Sequence, residues 1–203
     1  ACVASESLAL PDWPPERIRR YDLVYFGTTL QQGEQSRRTV RFLVDACRGI
    51  RFCDLNLRPP AFSRETVSYA LAACDVLKIN REELEILSAW ETLSGSLEAR
   101  LASLARRRRI RWVYLTLGSD GACCWNGTAM TRSPAETLDP VDTVGAGDAF
   151  SAFMALGLLR GLPVAAILEG ANALAARVCG FAGAVPDDDT LYTPFRVRLG
   201  LPG

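Results

Sequence analysis

The heptapeptide Asp142-Thr143-Val144-Gly145-Ala146-Gly147-Asp148 sets two acids, a hydroxyl and two glycines directly ahead of an apolar run with helical spacing. The first turn of a helix has N–H groups without a partner inside the helix, and it carries a partial positive charge. Small residues such as Gly145, Ala146 and Gly147 let an anion come close to that backbone, and a phosphate is the natural guest. Asp148 then places a carboxylate beside an anion site. Two chemistries are open for it. It is an ordinary N-terminal cap, or it is a general base that takes a proton from a hydroxyl attacking the phosphate.

Four other sets of residues have types and spacing that matter. Asn80 and Glu83 stand as a helix N-cap and its N3 glutamate, which is a capping box. Arg58, just past "CDLN", suits a phosphate or an acidic substrate group, and equally a weak surface ion pair. Thr116, Gly118 and Gly121 read as a strand end followed by a turn. Asn172 is a polar residue in an otherwise apolar helical stretch.

The elements that must position these residues alternate. "YDLVYFGTT", "IRFCDLN", "DVLKIN" and "RWVYLTLG" are short apolar runs, the pattern of buried strands. Between them lie "GEQSRRTVRFLVDACRG", "SRETVSYALAAC" with Ser63 as N-cap, "REELEILSAW" and "SLEARLASLARRRR", all helix-periodic. "GACCWNGTAMTR" predicts a hairpin turning at Asn126-Gly127. The motif helix and "PVAAILEGANALAARVCG" close the chain. The order β-α-β-α-β-α-α-β-β-β-α-α predicts an α/β protein with a mostly parallel central sheet and helices on both faces.

Composition narrows the chemistry. The chain has 203 residues, 49% of them hydrophobic and 23% charged, with formal net charge +0. That is an ordinary globular profile with no global pull toward nucleic acid or anionic membrane. With no histidine, imidazole bases and His-ligated metals are excluded. The seven cysteines (Cys2, Cys47, Cys53, Cys74, Cys123, Cys124, Cys179) lack CxxC spacing and sit mostly in apolar runs. They predict buried free thiols in a reducing cytoplasm. No apolar run reaches the ~18 residues of a membrane span. Lys78 is the only lysine. Arg106 to Arg109 fall at a helix C-terminus, where cations complement the dipole, and no aromatics interleave them to stack bases.

The string Asp142 to Asp148 resembles the D-T-x-G-A-G-D signature of the ribokinase-like (PfkB) carbohydrate kinases, with six specified positions in seven. Other segments resemble that family in its own order. "CDLNLRPP" gives Asp54, Asn56 and Arg58. "KINREELEIL" gives Asn80 and Glu83. "YLTLGSDGA" gives Thr116, Gly118 and Gly121. "EGANALAARVCGFAGAVP" gives Asn172, and "YFGTTL" is similar to fructokinase and 2-keto-3-deoxygluconate kinase relatives.

The resemblance implies a three-layer α/β/α ribokinase-like fold, one domain over residues 1–203, and ATP-dependent phosphorylation of a sugar or sugar-acid hydroxyl. It implies a backbone anion hole at Gly145, Ala146 and Gly147, with Asp148 as base. Thr116, Gly118, Gly121, Thr143 and Asn172 would bind the nucleotide. Asn80 and Glu83 would hold Mg²⁺ through water. Arg58 and Asn56 would meet substrate or phosphate. The backbone around Asp142 and Val144 matches a region that binds a monovalent cation in some relatives. Partners would be a sugar substrate, with no nucleic acid and no membrane, in the cytoplasm.

The family's opening strand, its β-lid and the early Asp and Gly-Gly segment are not found in this sequence. Two expectations follow. The chain is a kinase, or it is a silent nucleotide-binding or truncated remnant of one. The edge left by absent strands would favour a homodimer.

Overall fold

A computed structural model describes residues 8–9, 13–59, 62–136, 141–183, 185 and 189–202. The observed helices are α1 (Pro15–Ile18), α2 (Glu34–Ala46), α3 (Arg64–Ala73), α4 (Arg81–Glu91), α5 (Leu97–Arg108), α6 (Ala146–Leu159), α7 (Val164–Cys179) and α8 (Thr193–Arg198). The strands are β1 (Leu23–Phe26), β2 (Ile50–Asp54), β3 (Val76–Asn80), β4 (Trp112–Thr116), β5 (Ala122–Trp125) and β6 (Met130–Ser133). They form a six-stranded sheet in the order β1-β2-β3-β4-β5-β6. β1 pairs with β2 in parallel, Phe26 opposite Cys53, and β2 pairs with β3 in parallel, Asp54 opposite Lys78. Parallel neighbours need a long crossover, which α2 and α3 supply.

The chain divides into two compact units. One comprises the described residues up to Tyr114 with Trp125–Thr128, and the other comprises Leu115–Cys124 with the described residues from Ala129 on. In the first, the strands bury Phe52, Cys53, Leu77 and Ile79, each fully, beneath Val44, Leu71, Leu84, Leu87, Leu101 and Leu104 from the helices. These apolar residues recur at strand and helix spacing, which is why the alternating pattern was legible. In the second, α6 and α7 pack through Phe150, Phe153, Met154, Ile167 and Leu168. The Phe153 ring lies directly on the bare backbone of α7, where a Cβ on Gly170 would be 2.1 Å from Phe153 Cζ.

Local signals were realised as written. Ser63 caps α3, accepting from the Thr66 N–H at 3.2 Å while Thr66 Oγ1 accepts from the Ser63 N–H at 3.0 Å. The Asn126-Gly127 turn joins β5 to β6, with the Thr128 N–H donating to Asn126 Oδ1 at 3.0 Å. The arginine run ends α5 and is spent on the protein itself. Arg107 donates to the Glu91 carbonyl, Arg108 pairs with the Glu91 carboxylate, and Arg106 donates to the Ala102 carbonyl. Five cysteines (Cys47, Cys53, Cys74, Cys123, Cys124) are buried free thiols and Cys179 is half-buried, while Cys2 lies outside the described residues. Among the described residues, no helix is long and apolar enough to cross a membrane.

Candidate nucleotide and substrate sites

The second unit holds a cavity of about 510 Å³, within the usual range for small-molecule sites. Its walls bring together Thr116 and Gly118 from the end of β4, Gly121 before β5, Thr143, Ala146 and Gly147 from the signature loop, and Asn172 from α7. Seven of the residues expected from sequence therefore surround one space. Gly121 adopts φ 87°, and a Cβ there would lie 2.2 Å from Ser133 O, so only glycine lets the chain pass this wall.

Gly145 is the N-cap of α6 at φ 85° and offers no side-chain cap. Among the described residues, the Ala146 N–H meets Thr143 O at 3.3 Å and the Ala149 N–H meets Gly145 O at 2.8 Å. The N–H groups of Gly147 and Asp148 meet no protein acceptor among the described residues. Two amides at the start of the 14-residue α6 are thus without a protein acceptor among the described residues, and the Ala146 amide is partly taken up in a turn. Asp148 is exposed and makes no hydrogen bond or ion pair among the described residues. The capping alternative for it is not what the geometry shows. Asp148 follows Gly147 in the chain, but neither it nor Gly145 lines the cavity itself.

Two polar residues do structural work that the sequence did not reveal. The Asp142 carboxylate accepts the N–H of Val144 at 3.0 Å and of Gly183 at 3.0 Å. Those two donors, Val144 first, hold its pKa below the ordinary value. The backbone N–H groups of Val141 and Asp142 donate to Cys179 O at 2.8 and 3.1 Å, so the signature loop is stapled to the end of α7. Asn172, 8% exposed, directs its Nδ2 at Ser133 O, Ser133 Oγ and Pro134 O, each at 3.1 Å. It clamps the far wall of the cavity, a role beyond that of a plain polar helix residue. Sequence reasoning also missed Ala175, Ala176 and Cys179, which line the cavity with Asn172. Their spacing of i, i+3, i+4 and i+7 was the available signal.

The first unit carries the remaining residues near the ends of β2 and β3. Lys78 Nζ meets both oxygens of Asp54 at 3.0 Å, with side-chain exposures of 9% and 5%, and the Tyr25 hydroxyl donates to Asp54 Oδ2 at 3.2 Å. Asn80 and Glu83 form the complete capping box. The Glu83 N–H donates to Asn80 Oδ1 at 2.8 Å, and the Asn80 N–H donates to Glu83 Oε2 at 2.9 Å. Glu83 Oε1 accepts the Leu57 N–H at 2.7 Å. Burial raises the pKa of this carboxylate, and the N–H donors from Leu57 and Asn80 pull the other way.

Glu83 is 3% exposed, and each of its oxygens already accepts one backbone N–H. Among the described residues, no group of three His, Cys, Asp or Glu could hold a metal. Arg58 is exposed, its Nε–H on Asn56 Oδ1 at 3.1 Å.

Comparison with known proteins now fixes the class. Residues 10–191 match the pfkB family of carbohydrate kinases, and the chain belongs to that family. It is 29% identical over 192 residues to the ATP-dependent 6-phosphofructokinase of Thermoanaerobacterium thermosaccharolyticum, covering 89% of this chain and 58% of that protein. It is 32% identical over 160 residues to a fructokinase of Klebsiella pneumoniae, covering 72% of this chain and 50% of that protein.

Among solved structures, aminoimidazole riboside kinase of Salmonella enterica, complexed with aminoimidazole riboside and an ATP analogue, superposes with TM-score 0.75 at 26% identity, over 94% of this chain and 67% of that one. Ribokinase of Thermotoga maritima superposes with TM-score 0.73 at 20% identity, over 91% of this chain and 59% of that one. The fold is ribokinase-like. The chain spans about half to three-fifths of the length of the curated relatives it matches.

Proposed function

We propose that this chain acts in ATP-dependent transfer of a phosphoryl group to a hydroxyl of a sugar or sugar acid. The observation that carries the proposal is the tip of α6. Among the described residues, two N–H groups there have no protein acceptor, one of them on Gly147 in the cavity wall, and the carboxylate of the next residue, Asp148, has no partner. Phosphoryl transfer asks for positioning and for stabilisation of charge on the phosphoryl oxygens, with little covalent work by the protein. The amides of Gly147 and Asp148, aided by the helix dipole, would receive the terminal phosphate. Asp148 would accept the proton of the attacking hydroxyl. Its lack of a partner suits a group that must meet substrate.

The cavity would take the nucleoside against Thr116, Gly118, Gly121, Thr143 and Asn172. Its largely small, apolar wall suits a flat base, and the ATP analogue in the Salmonella relative supports this assignment. Magnesium would neutralise the phosphates and keep its water shell, with Asn80 and Glu83 acting on it only through that water. Arg58 and Asn56 would meet the substrate. Fructose and 2-keto-3-deoxygluconate are the first candidates, on the fructokinase similarity and the "FGTT" segment. A monovalent cation near Asp142 and Val144 rests on the resemblance alone. A homodimer is proposed from exposed Tyr25 in β1 and Tyr21 just before it, and a cytoplasmic location from the free thiols.

ADP release coupled to a panel of sugars tests the proposal. Sugar-dependent release supports it. Binding of a non-hydrolysable ATP analogue without turnover on any sugar would assign the chain to nucleotide binding alone.

A further inference from the structure

The first unit stores backbone strain at one functional position. Three non-glycine residues have positive φ among the described residues, and two of them, Thr92 and Arg109, are C-caps of α4 and α5, an ordinary place for that conformation. Asn56, at φ 48°, ends no helix. Asparagine tolerates the left-handed region, but such a residue persists where its surroundings over-determine it. Here they do. Thr28 Oγ1 donates to Leu55 O at 2.7 Å and to Asn56 O at 3.3 Å, and Thr29 Oγ1 donates to Asn56 O at 3.3 Å. On the next residue, the Leu57 N–H is taken by Glu83 Oε1. Thr28 is 0% exposed and Glu83 is 3% exposed. The turn so fixed carries Arg58, which leans on Asn56 Oδ1.

Resting on the phosphoryl-transfer proposal above, we infer that Glu83 is a positioning residue for the Asn56–Arg58 turn, so that its carboxylate also serves the substrate loop. Two N–H groups converge on it from segments 23 residues apart, Leu57 and Asn80. Only a carboxylate presents an acceptor oxygen to each. A glutamine presents one oxygen and would aim its NH₂ group at the other N–H, donor against donor. The box at Asn80 would cap α4 without Oε1. The Leu57 bond is the part that capping does not explain.

Glu83→Gln in the full chain tests this, with fructose and 2-keto-3-deoxygluconate as the sugars. The expected result is a rise of about tenfold or more in sugar KM, the scale of one lost charge-assisted hydrogen bond. ATP KM stays within about twofold, and amide exchange at Leu57 quickens about tenfold. Thr28→Val removes a hydroxyl from the opposite side of the turn without touching Asn80, and it should raise the same KM even if Glu83→Gln folds poorly.

A tenfold shift in Mg²⁺ dependence with unchanged sugar KM would overturn the inference and make Glu83 a metal residue. Unchanged exchange at Leu57 would also overturn it. Should the wild type turn over neither sugar, the phosphoryl-transfer proposal fails on those substrates. Leu57 exchange in both variants then still decides whether Glu83 and Thr28 hold the turn.

Discussion

The two candidate regions handle polar groups in opposite ways. At the tip of α6, two N–H groups and a carboxylate have no protein partner among the described residues, and Gly147 there lines an open cavity. At the ends of β2 and β3, buried charges are matched with their surroundings: Lys78 with Asp54, and Glu83 with two backbone N–H groups. An unpaired group can remain where water or ligand reaches it, whereas in the interior it costs the full desolvation of that group. The first region is therefore built to receive something, and the second to hold a shape. Mutations should separate them, with nucleotide binding and rate failing at the first, and folding and the geometry of the Asn56–Arg58 turn failing at the second.

The largest stability effect is expected at Lys78. Lys78→Met removes the cation facing a carboxylate that is 5% exposed, and an uncompensated buried charge typically costs about 3–5 kcal/mol. Denaturant unfolding should show that loss, and replacing Asp54 by Asn in the same chain should recover part of it. A loss below about 1 kcal/mol would mean that water already reaches the pair.

Gly121→Ala comes next and probes the cavity wall. The added Cβ meets Ser133 O at 2.2 Å in a left-handed backbone. A destabilisation of about 1–3 kcal/mol is expected, together with weaker binding of an ATP analogue in titration calorimetry. Unchanged affinity would detach this wall from the nucleotide.

The smallest effect is at the surface. Burial alone would raise the Asp75 pKa, but the Arg51 guanidinium, with bonds of 2.9 and 2.6 Å, and the Arg51 N–H outweigh it and lower the value. A carboxylate lowered in the folded state adds stability above its unfolded pKa and loses it as pH falls through the folded one. The acid side of the stability profile, below about pH 4, should therefore flatten in Asp75→Asn. An identical profile would remove Asp75 from the acid response.

Much of the fold was legible because it is local. Apolar spacing gave the order of the twelve principal elements, and Ser63, Asn80 with Glu83, and Asn126-Gly127 announced their caps and turn within a few residues. The short helices α1 and α8 were not anticipated, since four and six residues carry too little periodicity. At the sites, the glycines and Asp148 stood out by type, and seven expected residues gathered at one cavity. The Asp142 bond to Gly183, the Asn172 clamp on Ser133 and the Glu83 bond to Leu57 join residues 26 to 41 apart in sequence. No local pattern encodes such partners; only the packed chain brings them together. Glu83 shows the consequence: its spacing suggested a cap or a metal ligand, and its third bond suggests a positioning role.

The account turns on Asp148, and sugar-dependent ADP release by Asp148→Asn against the wild type, with ATP-analogue affinity measured on both, tests it most directly. The expected result is a fall in kcat of about 10²–10⁴, with analogue affinity unchanged or slightly improved by removal of a negative charge. Equal turnover in the two proteins would contradict the assignment of Asp148 as the proton acceptor.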